Sequence, residues 1–460
     1  MFTMRKRSPD GARPASRLLR KVAVAACLLL APTLVLAVPS YARQTHQPCA
    51  ACHVGGFGPE LTVFGREFKI NGYTMKVGND TKVPLSAMLV ESFTHTSKAQ
   101  TSPPANGFGT NNNPEIQQAS VFLAGRLTDH IGVFSQATYS ENGGLLGWDN
   151  ADVRYASPFS HGNHSGTWGI SVNNNPTISD VFNSAPGWIY PYMGSDLAPG
   201  APAAPMLFGG LAGQSVGATA YAQIDGKWYV EAGGYRSLSV AFTNHVNAGY
   251  DGKLSGIAPY ARVAYTWNIP HGNFTLGGFL LNMKRGGVGA DLNGNVIPVA
   301  GPTDNFDDLG LSADYQHFMG DNIVTVNGLY VHEKQTLNNT YDGGNGSSNL
   351  HNTLDSFNLK GSYWYQNTYG VTLGGFASNG SNDLTLYGNN GSPNTQGGTV
   401  ELNYNPFGKS DSWEQPYANV RLGLQYTYFT KFSGLVHNVD GAGRSASDNN
   451  TLYFYVWLAI

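Results

Sequence analysis

The chain has 460 residues, 58 of them glycine, well above the average share of about 7%. Charged residues make up only 12%, aromatics also reach 12%, and the net charge is -3. Disordered chains are charge-rich and aromatic-poor, and interior glycine costs a helix roughly 1 kcal/mol against alanine, so the composition excludes disorder and favours an all-β chain rich in Gly, Asn and Tyr.

Seven basic residues, Arg5, Lys6, Arg7, Arg13, Arg17, Arg20 and Lys21, precede an apolar stretch from Val22 to Val38. Ser40-Tyr41-Ala42 then places small residues at the -3 and -1 positions. This pattern predicts a secretory signal peptide over 1–42, cleaved after Ala42, with Ala37 as a secondary site. Val24-Ala25-Ala26-Cys27 superficially resembles a lipoprotein box, yet the apolar stretch continues past Cys27 where a lipidated Cys would end it. A membrane anchor is the other alternative. Without residues 1–42 the chain keeps 20 basic and 29 acidic side chains, a net of -9. An acidic surface or lumen favours cations over anions.

Cleavage leaves two cysteines, in Cys49-Ala50-Ala51-Cys52-His53. C-x-x-C-H is the attachment motif of c-type haem. Two thiols add to the haem vinyl groups, and the adjacent His supplies an axial imidazole. A disulfide is the alternative in an oxidising envelope; a zinc site would need two further ligands. For the sixth position the candidate is Met75, 22 residues after His53, whose thioether would raise the reduction potential. His95, His46 and Met88 are the alternatives. The haem segment, 43–83, is about 40 residues long, a size that rarely sustains its own core, so it is expected to pack into the rest of the chain. Arg66 and Lys69 are candidates to pair with haem propionates; the alternative is a solvated basic patch.

From Leu85 the sequence alternates with period two. Sixteen segments are predicted, centred near Leu89, Val121, Phe134, Val153, Ile170, Ala220, Val230, Val263, Phe279, Leu311, Val326, Leu359, Leu373, Leu402, Leu424 and Val456. Their polar faces carry Asp152, Arg154, Glu231, Arg262, Lys360, Glu401 and Arg421, as expected of a wet lumen. The Pro-rich, aromatic stretch Asn173 to Pro191 breaks the rhythm and is predicted to fold into the barrel, since Trp188, Tyr190 and Tyr192 are large apolar groups to leave in water. The predicted fold class is all-β: a transmembrane β-barrel of about 16 antiparallel strands over 84–460, with a short N-terminal c-type haem segment acting as plug or cap.

Three stretches, Cys49 to His53, Phe64-Gly65-Arg66-Glu67-Phe68-Lys69 and Asn71-Gly72-Tyr73-Thr74-Met75, together with Asn174 to Asp180 and the aromatic-Pro stretch after it, resemble the fused monohaem cytochrome c–porin family of outer-membrane iron-oxidase type. The resemblance implies one covalent haem c held by Cys49, Cys52 and His53, with Met75 carried over more weakly. It also implies Fe(II) oxidation at the cell surface. No iron-contacting or catalytic residue carries over. The partners expected are outer-membrane lipid, extracellular Fe(II) or another small donor, and a periplasmic carrier such as a cytochrome c or cupredoxin. The location expected is the bacterial outer membrane, with the haem segment at the periplasmic mouth or inside the barrel. Two other readings stand beside this one: a solute-diffusion porin with a structural or sensory haem, and export of electrons to an extracellular acceptor. His161 and His164 are a weaker metal candidate, loop histidines usually being solvated.

Overall fold

The computed structural model describes residues 39–78, 84–183, 188–292, 296–342, 346–412 and 417–460. The predicted signal peptide lies outside them except for Pro39 to Ala42.

Sixteen antiparallel strands close into one barrel. They are β1 (Leu85–Thr96), β2 (Asn113–Arg126), β3 (Ile131–Ser140), β4 (Leu145–His161), β5 (His164–Asn173), β6 (Ser215–Ile224), β7 (Trp228–Ser237) and β8 (Ala258–Ile269), followed by β9 (Gly272–Ala290), β10 (Val296–Met319), β11 (Asn322–Leu337), β12 (His351–Tyr365), β13 (Tyr369–Gly380), β14 (Thr395–Tyr404), β15 (Asn419–Lys431) and β16 (Thr451–Ala459). Every predicted centre falls within its strand. Closure comes from β1 against β16, in register from Met88↔Ala459 to Thr96↔Thr451.

Successive side chains on a strand point to opposite faces, and β16 shows the result. Tyr453, Tyr455 and Trp457 point inward and are buried, while Leu452 and Phe454 between them are exposed. Around the wall the outward positions are apolar: Val121, Leu123, Ile170, Val230, Val263, Leu311, Leu359, Leu373 and Leu402 are all exposed. Closure pairs every strand with two neighbours, which is what a sheet needs in lipid. Outward aromatics gather near one rim, where Trp228, Tyr265 and Trp267 touch in sequence at 4.7 and 4.6 Å and Tyr369 stacks on Tyr404 at 5.2 Å. Phe93, Tyr330, Tyr426 and Tyr428 are exposed further along their strands. Two such girdles flank the apolar band of a membrane barrel.

The two mouths differ. At one, connections such as 162–163, 270–271 and 320–321 are two residues long; Gly162 and Gly320 have φ of 60° and 61°, as tight hairpin turns require. At the other, connections such as 97–112, 174–214, 238–257 and 432–450 are long. Both residues 43–78, part of the segment predicted to carry haem, and the end of β16 lie at the short-turn mouth.

The lumen is not wet, as expected from its polar face, but filled from both ends. Residues 39–78 form a plug in the short-turn half, with helices α1 (Pro39–Thr45), α2 (Cys49–Cys52) and α3 (Val63–Ile70). Residues 174–183 and 188–214 enter from the long-loop half, the first of them carrying helix α4 (Pro176–Ser179), all four residues of it buried. The expected infolding is therefore present. Leu207 and Leu211 of this insert pack with Tyr235, Tyr260, Phe279, Leu281, Met283 and Val331. Buried Asp308 of β10 and Glu333 of β11 interrupt this apolar contact, accepting from Leu207 N at 2.7 Å and Met206 N at 2.6 Å. The inward charges stay inside because plug and insert supply partners that water would otherwise supply.

Candidate functional site

Helix α2 is one turn long, closed by bonds from Ala51 N to Pro48 O and from His53 N to Cys49 O, both 2.9 Å. Cys49 and Cys52, three apart, lie on the same helical face. Neither cysteine is in a disulfide, and both are half-buried. Thr62 locks this turn to α3: its hydroxyl donates to Ala51 O at 2.5 Å and accepts from Gly65 N at 3.2 Å, while its own N–H donates to Cys52 O at 2.9 Å. Gly65 is needed at this crossing, because a Cβ there would run into the Cys52 carbonyl.

His53 follows with extended backbone, φ -119° and ψ 135°, and bridges to Leu61. Its Nδ1 is buried without a hydrogen-bond partner. Burial, and then the charge of Arg421, push its pKa down to about 4, so the imidazole is neutral, the state that ligates iron. Burial, and then Cys49, push the Cys52 thiol up to about 12. A thiol held protonated is a poor zinc ligand. Two thiols on one face of one turn, with a neutral imidazole next to them, fit covalent haem attachment at Cys49, Cys52 and His53.

The sixth-ligand candidates are scattered. The Met75 and Tyr73 carbonyls both accept from Gln44 Nε2, at 2.8 and 2.7 Å, and Gln44 Oε1 accepts from Arg126 N of β2 at 2.8 Å. Met75 is thus held on the β2 side. The residues after His53 face β12, β15 and β16: a Cβ on Gly55 would meet Trp364 of β12, one on Gly58 would meet Arg421 of β15, and Phe57 packs on Trp457 of β16. The described contacts do not bring Met75 to His53. His95 bonds Asn112 at 2.8 Å and lies on the outward face of β1, away from the lumen. His46 is exposed. Met88 points inward, in one cluster with Phe57 and Trp457. His164 pairs with Asp225 at 2.7 Å on a neighbouring turn, and no cluster of three or more His, Cys, Asp or Glu able to hold a metal occurs among the described residues.

Arg66 and Lys69 are not a solvated patch; both are buried. Arg66 Nη1 donates to Asn273 Oδ1 of β9 at 3.0 Å. Lys69 Nζ donates to Asp180 O and Asn183 Oδ1, both at 2.7 Å. Burial, and then Arg154, lower the Lys69 pKa to about 7, against the pull of Asp152, Asp180 and Glu231. The correction has a physical reason: residues 180–183 of the insert descend onto α3 and displace the solvent these cations were expected to meet.

Sequence reading did not anticipate the fastening that results. Arg262 pairs with Asp180 at 2.8 Å, and Arg154 with Asp152 at 2.6 Å, all four side chains fully buried. Tyr73 OH donates to Asp152 Oδ2 at 2.7 Å, and Tyr221 OH to Ile70 O at 2.7 Å. The Phe182 ring lies between the guanidiniums of Arg66, at 5.2 Å, and Arg262, at 4.8 Å. Lys360 of β12 pairs with Glu60 of the plug and sits 4.9 Å from the Tyr192 ring of the insert. Asn405, Asn419 and Arg421 bond the carbonyls of Gly55, Gly56 and Phe57. The inward charges themselves marked a polar lumen but did not tell water from protein partners. Where plug and insert meet, beside Phe57, Glu60, Tyr190, Tyr192 and Arg421, the space left is a cavity of about 20 Å³, room for a single water molecule.

No family model and no curated protein matches the chain. Among solved structures it is similar to OmpT of Vibrio cholerae (13% identity, 83% of this chain and 98% of that one, TM-score 0.42), to the outer membrane channel DcaP of Acinetobacter baumannii (10%, 84% and 100%, 0.42), and to OprB of Pseudomonas putida (12%, 82% and 93%, 0.44). These likenesses carry no information about activity. What stands on the chain's own geometry is a closed 16-stranded antiparallel barrel with an apolar exterior and a filled lumen.

Proposed function

We propose that the chain is a bacterial outer-membrane barrel that holds one haem c on Cys49, Cys52 and His53 at its periplasmic mouth. It would oxidise extracellular Fe(II), or a similar small donor, and deliver the electron to a periplasmic cytochrome or cupredoxin. When bound, the haem supplies the one-electron chemistry. Cys49 and Cys52 fix it covalently, His53 orients it through a neutral imidazole, and Thr62 and Gly65 hold that turn against α3. The supporting observation is that the lumen is packed with plug and insert while the attachment turn stays half-exposed at the short-turn mouth. Packing of this kind leaves little room for the passage of solutes. A haem stain of the outer-membrane fraction and stopped-flow reduction of the ferric protein by Fe(II) test the reading; an unstained band sinks the cytochrome, and a haem that Fe(II) leaves oxidised across the working pH range sinks the iron oxidase.

The barrel itself, closed and of 16 strands, favours a second reading as a solute-diffusion porin with a structural or sensory haem. Solute flux into liposomes containing the intact protein supports that reading, and none is expected under the first. A reduction potential well below that of Fe(II)/Fe(III) under the same conditions supports electron export.

A further inference from the structure

We propose that the mature chain begins at Val38, by signal-peptide cleavage after Ala37, so that residues 39–42 stay in the plug. Two cleavage sites are legible in the sequence, with Ala37 or Ala42 at the -1 position. They differ in whether Tyr41 stays, and the plug is built around Tyr41. Its ring stacks on Tyr73 at 5.4 Å and meets Phe68 edge-on at 4.9 Å. Its hydroxyl donates to Val133 O of β3 at 2.7 Å, and its carbonyl accepts from Thr45 Oγ1 at 2.8 Å. Ser40 beside it is buried as well.

A chain beginning at Arg43 would lose more than that ring. Four of the seven residues of α1 would be gone, and with them the turn that presents Gln44, the side chain bonded to the Tyr73 and Met75 carbonyls and to Arg126 N. The new α-ammonium would sit on Arg43, a residue only 5% exposed whose guanidinium donates to Leu85 O at 2.9 Å. Cleavage after Ala37 keeps all of these contacts and removes the basic and apolar stretches of the leader, apart from Val38.

The test is independent of the haem reading. Intact mass and N-terminal sequencing of the full protein extracted from outer membranes are expected to give Val38. A start at Arg43, or at an acylated Cys27, overturns the proposal. Ala37→Leu is expected to accumulate uncut precursor while Ala42→Leu is processed as wild type; the reverse pattern overturns it. Tyr41→Ala supplies a second readout, because a substitution in a discarded leader cannot alter the mature protein. The purified mature variant is expected to melt several degrees below wild type, and coincident melting overturns the proposal.

Discussion

Lys360→Met tests whether buried charge holds the plug in the barrel. Lys360 and Glu60 are an ion pair across the plug–wall boundary, with side chains 1% and 6% exposed. The ammonium also bonds Thr325 Oγ1 at 3.3 Å and Ser362 Oγ at 3.4 Å. Methionine fills much the same volume without the charge, so the substitution leaves the Glu60 carboxylate buried and uncompensated, and Oε1 of that carboxylate already has no partner. Breaking one side of a buried pair costs about 3–5 kcal/mol. The charge of Arg66 also reaches Glu60 and remains in the variant, which places the expected loss near the lower end, about 3 kcal/mol. Removing both charges, Lys360→Met with Glu60→Gln, eliminates the stranded carboxylate, and most of the loss is expected to return. The assay is a double-mutant cycle on denaturant midpoints of the full protein in detergent, with single-channel current in planar bilayers as a second readout. The single variant is expected to show current as the plug loosens, and the double variant is expected to be quieter. A single variant within about 0.5 kcal/mol of wild type, the span of ordinary surface substitutions, refutes the idea that this pair fastens the plug.

Cys49→Ala and Cys52→Ala together are expected to abolish covalent haem stain while the barrel still folds, checked by heat-modifiable migration on gels. Met75→Leu is expected to lower the reduction potential if the thioether ligates; an unchanged potential and spectrum remove Met75 from the iron and leave Met88 as the candidate nearest Phe57. Gly65→Ala is expected to push α3 off the Cys52 carbonyl, costing about 1–3 kcal/mol and reducing haem incorporation, both measured on purified protein. Lys69 gives a pH signature. Its folded pKa is depressed to about 7 from an ordinary 10.5, so between those values the unfolded chain binds the extra proton and stability rises with pH, by at most about 1.4 kcal/mol per unit. Unfolding midpoints across that window are expected to rise in wild type, and Lys69→Met is expected to flatten the rise.

The strands were legible because period-two alternation is a local property: Leu452, Tyr453, Phe454 and Tyr455 declare their faces without reference to any other part of the chain. The juxtaposition of the two thiols was legible for the same reason, since Cys49, Cys52 and His53 occupy one helical turn and its cap. The inward infolding of Asn173 to Pro191 could be read from its aromatics. Its destination could not, because a loop's landing place depends on what the far wall offers.

What the sequence by itself determined is the barrel, its strand count, and the thiols and imidazole at its mouth. Only the tertiary structure decided what fills the lumen. The inward side chains Asp152, Arg154, Arg262, Lys360 and Arg421 look the same on a strand whether they face water or a plug. Arg66 and Lys69 likewise read as surface cations until Asn273, Asp180 and Asn183, between 111 and 207 residues away, close over them. Alternation along a strand records which face is inward, but the partner across the lumen is set by closure of the barrel, which brings together residues that no local pattern relates.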